Sequence, residues 1–262
     1  MTAQPDYLRA HLLTLPIHRV IIRSVEARLF AELAPTLPEP IVDVGSGDGT
    51  FVQLALPGRR VFGIDPRRDD TEEASGRNVY AGLSVADGAA LPFGDGQFGS
   101  AISNCVLEHV VPLDETLRET ARVLRPGGLF VASVVGHNFP KWLLGTALLN
   151  GLGLDGSRYG TWFNKIAYHF NTFSPEGWGA RFAAAGFETV AMRPYISAGA
   201  LKIFDASHYY GAPSLLTRRL TGRWLLYPPL TPNLLWEPLL RRIYEAPDPS
   251  DGACYFFVLR KR

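Results

Sequence analysis

The sequence contains little of what marks secreted, membrane-spanning or nucleic-acid-binding proteins. Its 262 residues include only two cysteines, Cys105 and Cys254, so we expect no disulfide framework and a cytoplasmic location. The 26 basic and 25 acidic residues leave a formal net charge of +1 at pH 7, which argues against a charge-driven nucleic-acid partner. With a hydrophobic content of 47%, a chain of this length predicts a single domain that carries insertions.

Long apolar runs are missing as well. Arg9, Pro16 and Arg19 interrupt the N-terminal region, which argues against a signal peptide. The uncharged stretch from Trp224 to Trp236 is broken by prolines and is too short to span a bilayer. No group of histidines, cysteines or acidic residues has the spacing of metal ligands, so we expect no metal.

Two helices are expected in the N-terminal segment, residues 1–40. Apolar residues recur at helical spacing from about Tyr7 to Leu33. Pro16 should split this pattern, because proline lacks the N–H that an interior helical residue donates. The stretch from Pro35 to Pro40 then ends the segment.

From Ile41 onward, short apolar segments alternate with helical or polar ones, which is typical of a parallel sheet with helices on both faces. Strands are predicted at Ile41 to Val44, Arg60 to Ile64, Leu83 to Val85, Ser100 to Ser103, Leu129 to Val135, Phe187 to Met192 and Cys254 to Leu259. Helices are predicted at Phe51 to Leu56, Leu113 to Leu124 and Pro175 to Ala185, the last with Ser174 as its N-cap. The polar stretch from Arg67 to Arg77 is assigned no element, and two insertions follow strands, at about 136–172 and 197–252.

The most informative motif follows the first predicted strand, in Ile41-Val-Asp-Val-Gly-Ser-Gly-Asp-Gly-Thr50. Gly45, Gly47 and Gly49 let the backbone bend sharply and approach a ligand closely. A NAD site calls for another glycine where Thr50 stands, so the match to that motif is partial. Asp65, about twenty residues beyond the turn, is placed to accept hydrogen bonds from ribose hydroxyls. These residues predict a cofactor that contains adenosine and leave its identity open.

Further motifs follow the next strands in order. Asp87 stands where a carboxylate can accept from an adenine amine, and Leu91-Pro92-Phe93 supplies an apolar wall. Ser103 to Val110 follows the fourth strand, and Leu124 to Leu129 turns into the fifth. In this order and spacing the chain resembles the class I S-adenosylmethionine-dependent methyltransferases, in particular the methyltransferase type 11 or UbiE-like group. The resemblance covers about 41–135 and resumes weakly over 173–190.

The resemblance implies a fold and a cofactor. The fold would be α/β, with a Rossmann-like, doubly wound, seven-stranded sheet in which an antiparallel strand seven lies between strands five and six. The cofactor would be S-adenosyl-L-methionine, leaving as S-adenosyl-L-homocysteine, and residues 41–135 would be the cofactor-binding core. Its ligands would be Asp43, Gly45, Ser46, Gly47 and Gly49 at the methionine half, Asp65 at the ribose, Asp87, Gly88 and Ala89 at the adenine, the backbone carbonyl of Asn104 at the amino group, and His109 close by. The chain departs from the family at Gly99, where an acid usually follows Phe98, and we expect only a local structural interaction to be lost there.

A base is needed if the methyl acceptor must lose a proton. Methyl transfer from a sulfonium requires alignment and exclusion of water rather than an enzyme nucleophile, and histidine is the usual base near neutral pH. His137, which follows the fifth strand, is the first candidate, and His109 is the second. The other histidines are expected to contact substrate from the insertions (His169 and His208) or to pack or face solvent on the N-terminal helices (His11 and His18).

Aromatic residues concentrate in the insertions. They are Trp142, Trp162, Phe163, Tyr168 and Phe170 in the first insertion and Phe204, Tyr209, Tyr210, Trp224, Tyr227 and Trp236 in the second. This density predicts a lid over a small apolar or aromatic acceptor, with the core of a small lid as the alternative. Residues 215–244 also mix leucines and tryptophans with arginines (Arg218, Arg219, Arg223, Arg241 and Arg242). Internal packing is the preferred explanation for that mixture, and contact with an anionic membrane surface is the alternative.

The expected function is therefore methyl transfer from S-adenosyl-L-methionine to an O, N or C atom of a small organic acceptor. Two alternatives stay open. One is a protein of the same fold that binds the cofactor without methylating, and the other is a membrane-associated enzyme that methylates a quinone or polyprenyl lipid. The acceptor and the oligomeric state lie beyond the sequence.

Overall fold

The computed structural model describes residues 5–211, 213–222, 225 and 231–262. In that part of the chain seven strands form one sheet in the order β3-β2-β1-β4-β5-β7-β6. The strands are β1 Ile41–Val44, β2 Val61–Asp65, β3 Gly82–Val85, β4 Phe98–Asn104, β5 Leu124–Val135, β6 Phe187–Tyr195 and β7 Cys254–Lys261. The first five pair in parallel, whereas β7 is antiparallel to both β5 and β6. The predicted fold class, including the placement of strand seven, is confirmed.

Helices cover both faces of the sheet. They are α1 Tyr7–Leu12, α2 Ile17–Leu33, α3 Thr50–Ala55, α4 Arg68–Gly76, α5 Leu113–Val123 and α9 Pro175–Ala184. Neighbouring strand residues enter opposite cores: Ile102 packs with the residues of α1 to α3, and Ala101 packs with those of α5 and α9. This alternation follows from the two-residue period of a strand.

The N-terminal helices separate at Pro16 as predicted, and Ser174 accepts a hydrogen bond from the N–H of Gly177 as the expected N-cap of α9. One helix was missed by the sequence pattern. The stretch from Arg67 to Arg77, which carries no apolar periodicity, contains α4, and only Thr71 and Ala74 of that helix are buried.

The two insertions are largely helical. The first forms α6 Phe139–Trp142, α7 Leu144–Gly151 and α8 Ser157–Ile166, and the second forms α10 Ala198–Gly211, α11 Pro213–Thr221, a 3₁₀ turn at Pro232–Trp236 and α12 Glu237–Tyr244. Asp205 of α10 joins the insertions, because its carboxylate accepts from the Gly145 N–H at 2.9 Å and from the Tyr159 hydroxyl at 2.7 Å. Three residues of the sequence-based prediction, Arg223, Trp224 and Tyr227, lie outside the described residues.

The C-terminal half of the second insertion packs against the N-terminal helices. Leu240 and Tyr244 of α12 are buried, and Arg241 forms ion pairs with Asp6 and Glu237, both at 2.7 Å. Internal packing therefore accounts for this part of the mixture of arginines and apolar residues. None of the described helices is long and apolar enough to cross a membrane.

Gly99 has a packing role. A Cβ at this position would lie 2.7 Å from the Pro38 carbonyl oxygen, and the Gly99 N–H donates to the Pro40 carbonyl at 2.9 Å. The proline-rich segment ahead of β1 thus passes so close to β4 that a side chain has no room. The departure from the family pattern at this residue reflects that close contact.

Candidate active site

The glycine turn between β1 and α3 is shaped for close approach of a ligand. Gly45, Gly47 and Gly49 have φ angles of 86°, 52° and 79°, a region that glycine occupies without steric penalty. A Cβ on Gly45 would lie 2.5 Å from the Val106 side chain, whereas a Cβ on Gly47 would have no described atom within 4 Å. The turn is therefore packed against the segment after β4 and open beside Gly47.

Asp65, at the end of β2, is held against this turn. Its Oδ2 accepts from the Gly47 N–H at 3.0 Å and its Oδ1 accepts from the Arg67 N–H at 2.9 Å. Each carboxylate oxygen has a further lone pair. Asp65 can therefore accept hydrogen bonds from two ribose hydroxyls without losing its backbone partners.

Asp43 is a buried carboxyl group at the start of the same turn. The Tyr80 hydroxyl donates to its Oδ2 at 2.8 Å. Burial raises the pKa of Asp43 to about 7, although the hydrogen bond from Tyr80 acts in the opposite direction. A cationic group nearby would favour the ionised form.

The predicted adenine contacts lie in a preformed turn after β3. Asp87 is exposed, and its Oδ1 accepts from the Ala89 N–H at 2.9 Å. A Cβ on Gly88 would lie 2.9 Å from Cγ2 of Thr116 on α5. Glycine at this position therefore lets the turn approach the helix.

Two buried hydroxyls beside these turns show that the residues fit the implied cofactor. Ser46 Oγ, in the glycine turn, and Thr116 Oγ1, next to Gly88, have no hydrogen-bond partner within the described residues. An unsatisfied buried polar group costs roughly 1–3 kcal/mol, and a polar ligand along the turns would remove that cost. With the carboxylates of Asp43 and Asp65, these groups suit an adenosine that carries a charged amino-acid tail.

Asn104, at the end of β4, belongs to a buried polar network. Arg23 Nη1 donates to the Asn104 carbonyl oxygen at 3.3 Å and to Glu26 Oε2 at 3.0 Å. The Asn104 side chain is oriented with its amide nitrogen toward Glu26 and Ser133. In this orientation the nitrogen donates to Glu26 Oε2 at 3.0 Å and to Ser133 Oγ at 2.7 Å. The carbonyl assigned to the cofactor's amino group thus already accepts one hydrogen bond and retains one lone pair for another.

A cavity of about 290 Å³ lies at the carboxyl ends of β4 and β5. It is lined by His18, Arg19, Ile22, Arg23, Cys105, Glu108, His109, Val135, Phe139, Phe163, Ala167, His169, Phe204, His208 and Cys254. Its walls therefore come from α2, the segment after β4 and both insertions. An engineered cavity of about 150 Å³ holds benzene, so this space admits an acceptor larger than a single ring.

The cavity adjoins the cofactor turns. Arg19 on its wall interacts electrostatically with Asp48 of the glycine turn, and Arg23 binds the Asn104 carbonyl. Nothing in the local sequence marks these arginines as site residues. Their four-residue spacing on a mostly buried helix is the signal that could have found them.

His109 is placed in the cavity wall with a defined tautomer. Its Nδ1 lies 3.0 Å from the Tyr168 carbonyl oxygen, and a carbonyl can only accept, so Nδ1 carries the proton. His109 keeps part of its surface exposed to solvent, but desolvation of its ring still lowers its pKa below the usual value. The neutral ring therefore keeps a lone pair on Nε2, as a general base requires.

Glu108 also lines the cavity and is 1% exposed. Its Oε2 has no hydrogen-bond partner in the part of the chain that the structure describes. Burial raises the pKa of Glu108 to about 7. The sequence pattern did not single out this residue, because its significance depends on burial beside a cavity.

Three further histidines line the cavity. Burial lowers the pKa of both His169 and His18 to about 3. The Nδ1 of His208 lies 3.1 Å from the Phe204 carbonyl, and its ring centroid lies 4.3 Å from that of His18. The predicted contacts His169 and His208 thus lie together with His18, which was expected to pack or face solvent.

His137 lies in different surroundings. Its ring stacks on Tyr255 with an interplanar angle of 14°, and its Nδ1 is 3.4 Å from the Tyr255 hydroxyl. Asp251 accepts from the same hydroxyl at 3.0 Å. The strand position that made His137 the first candidate therefore does not bring its ring to the cavity wall, where His109 and His169 lie.

The chain's likenesses to known proteins are concentrated in its core. Residues 42–132 match a family profile described as "Methyltransferase domain". An uncharacterized methyltransferase of Mycobacterium leprae is 39% identical over 103 residues, which are 38% of this chain and 38% of that protein. A ubiquinone/menaquinone biosynthesis C-methyltransferase of Rubrivivax gelatinosus is 26% identical over 189 residues, 68% of this chain and 73% of that protein.

The fold extends the likeness to nearly the whole chain. A Thermotoga maritima structure, described as a SAM-dependent methyltransferase and possible histamine N-methyltransferase, aligns with a TM-score of 0.56 at 18% identity. It covers 94% of this chain and 91% of that one. By sequence, the chain spans only 34% and 38% of the length of the first curated relatives.

Proposed function

We propose that the protein is an S-adenosylmethionine-dependent methyltransferase, which the match of residues 42–132 to a methyltransferase domain profile supports, and that it methylates a small, largely apolar or aromatic organic acceptor. The cavity of about 290 Å³ is the observation that carries the proposal. It lies at the same edge of the sheet as the cofactor turns, which follow β1, β2 and β3, and its apolar wall includes Phe139, Phe163 and Phe204. An acceptor bound there would lie beside the predicted cofactor contacts.

The chain's own residues have three tasks in this reaction. When bound, S-adenosyl-L-methionine supplies a methyl group already activated by a sulfonium. Asp43, Asp65 and the glycine turn hold the cofactor's polar ends, and the aromatic wall excludes water and orients the acceptor. His109 Nε2 takes the proton from a hydroxyl or amine acceptor.

We propose oxygen, nitrogen or carbon as the methylated atom. A histidine base can remove the proton from a hydroxyl or an amine, and a nucleophilic carbon can also be methylated. We place the enzyme in the cytoplasm. Both cysteines are free and buried, which supports a reducing compartment.

The proposal is tested by incubating the purified protein with methyl-labelled S-adenosyl-L-methionine and a bacterial-type metabolite extract. Transfer of label to small aromatic or apolar products is the expected result. Bound cofactor without transferred label would contradict the proposal and favour a protein of the same fold that does not methylate. A His109→Ala variant, which retains the cofactor turns, serves as the matched low-activity control.

Cofactor choice is tested separately by calorimetry. S-adenosyl-L-homocysteine should bind and NAD should not, because Thr50 stands where a dinucleotide motif has glycine. Affinity for NAD alone would overturn the cofactor assignment.

A further inference from the structure

The exposed apolar residues of the described chain are unevenly distributed. Of its seventeen exposed large apolar residues, eleven lie in segments 148–170 and 209–220 of the two insertions. Patches of this kind on a monomer mark interaction sites. We define the outer insertion surface by six of them: Leu148, Leu152, Trp162, Ile166, Leu216 and Leu220.

This surface is the outer side of the cavity wall. Along α8 and the segment after it, Phe163 and His169 line the cavity, whereas Trp162, Tyr168 and Phe170 are exposed. One short stretch of chain therefore contacts the cavity on one side and presents aromatic rings on the other. A partner bound to the outer insertion surface would be separated from the acceptor in the cavity by α8.

The surface is held together by contacts between the insertions. The Trp162 ring lies 5.4 Å from that of Tyr159, and the Tyr159 hydroxyl is 2.8 Å from the Tyr209 hydroxyl on α10. Asp205 accepts from Tyr159 as well. Trp162 and Ile166 thus stand on a helix that is fixed relative to α10, and Leu216 and Leu220 stand on α11, the helix that follows α10.

The charge of these insertion helices is basic in a nearly neutral protein. Segments 136–172 and 197–222 contain the basic residues Lys141, Arg158, Lys165, Lys202, Arg218 and Arg219. Their only acids are Asp155 and Asp205, and Asp205 is buried. Since the whole chain has a net charge of +1, the remainder is net acidic, and the positive charge lies in the same segments as the exposed apolar residues, although Arg218 also interacts electrostatically with Arg19 and Asp70.

We infer that the outer insertion surface docks on an anionic membrane. Exposed leucines and aromatic rings among lysines and arginines are the chemistry of helices that lie in a lipid headgroup layer, and anionic lipids attract the basic residues. The inference rests on the proposed function in one respect: a docked enzyme would draw its methyl acceptor from the bilayer, so the acceptor is lipid-soluble. Leu240 and Tyr244, which are buried in α12 against the N-terminal helices, take no part in docking.

Co-sedimentation of the full chain with lipid vesicles at low salt tests the inference. Vesicles of phosphatidylcholine containing phosphatidylglycerol should retain the protein, and vesicles of phosphatidylcholine alone should retain much less. Leu220→Glu and Ile166→Glu should each weaken binding roughly tenfold, the scale for removing one buried leucine or isoleucine from an apolar phase. Leu235→Glu, which changes a leucine that is 82% exposed outside the surface, is the matched control and should bind normally.

Two results would overturn the inference. One is equal retention of wild type, Leu220→Glu and Ile166→Glu. The other is self-association of the protein that the same two substitutions abolish, because a second copy would then cover the surface. Calorimetry with S-adenosyl-L-homocysteine, run without vesicles, separates this test from the proposed function: membrane binding without cofactor binding would retain the docking surface and remove the methyltransferase assignment.

Discussion

At the scale of single residues, backbone groups prepare the site. The Tyr168 carbonyl selects the tautomer of His109, and the N–H groups of Gly47 and Arg67 hold the Asp65 carboxylate. The contacts of Tyr168 with His109 and of Gly47 with Asp65 cannot be deduced from spacing, because they join residues 59 and 18 positions apart. The spacing of motifs correctly predicted that Asp65 lies at the end of a strand. It favoured His137 over His109 as the base, because a sequence does not show where a side chain points.

Asp65→Ala should weaken binding of S-adenosyl-L-homocysteine by roughly 1–3 kcal/mol, the scale for leaving hydroxyl donors without their acceptor. Calorimetry measures the change. Asp69→Ala, which removes an exposed carboxylate four residues away, should leave the affinity unaltered. Equal losses in the two variants would remove the ribose assignment.

His109→Ala should lower the turnover number by about 10²–10⁴, the usual contribution of a general base, with little change in cofactor affinity. The low-pH limb of the rate profile should disappear with it, because that limb reports protonation of the base. His137→Ala should retain most activity, since its ring stacks on Tyr255. A larger loss of activity in His137→Ala than in His109→Ala would instead indicate that His137 is the base.

Glu108→Gln should change how stability depends on pH. The carboxyl group has a pKa of about 7 in the fold against an ordinary value of 4.5, so the folded protein binds its proton more tightly than the unfolded chain. The associated stability is complete below about pH 4.5 and is lost as the pH rises through about 7. By the conversion of pKa shift to free energy, the loss is about 3 kcal/mol.

Denaturant unfolding of wild type and Glu108→Gln across that pH range measures this effect. The variant lacks the titrating group, so its stability relative to wild type should rise with pH. Asp43, whose pKa is raised in the same direction, contributes equally to both proteins and cancels. A constant difference between the two curves would contradict the burial of a protonated Glu108.

At the scale of elements, strands were predicted more completely than helices. The strands β1 and β2 are mostly apolar and mostly buried, so composition reveals them. By contrast, β4 is buried throughout although it contains Gly99, Ser100, Ser103 and Asn104. The α4 helix is polar around nearly its whole surface, and its formation depends on the sheet beside it. The cavity was beyond prediction for a related reason, since Arg23 and Asn104, which meet beside it, are 81 positions apart.

Gly99→Asp tests the contact between β4 and the segment before β1. Restoring the family's usual acid should destabilise the fold by about 1–3 kcal/mol, the range for overpacking, because Pro38 occupies the space that the new Cβ needs. Thermal unfolding provides the measurement. Gly94→Ala, where the nearest described atom would be 3.9 Å away, should have a much smaller effect.

At the scale of the whole molecule, a core with recognisable motifs carries two largely helical insertions. The core motifs recur because a cofactor of fixed shape dictates them, and this explains why residues 42–132 match a family profile. The acceptor site draws on α2 and on both insertions, which share no motif. The aromatic content of the insertions predicts an apolar acceptor. The structure is needed to show which of these aromatic residues line the cavity and which are exposed.

Asp205 links the two insertions through hydrogen bonds. Asp205 belongs to α10 of the second insertion, and its carboxylate accepts hydrogen bonds from Gly145 and Tyr159 of the first insertion. Each insertion therefore supplies the hydrogen-bond partners of polar groups in the other. A replacement of one insertion by that of a relative would leave a buried acid without donors, or donors without the acid. Exchanging one insertion alone for that of a relative should therefore lower the stability of the fold, and exchanging both together should lower it less.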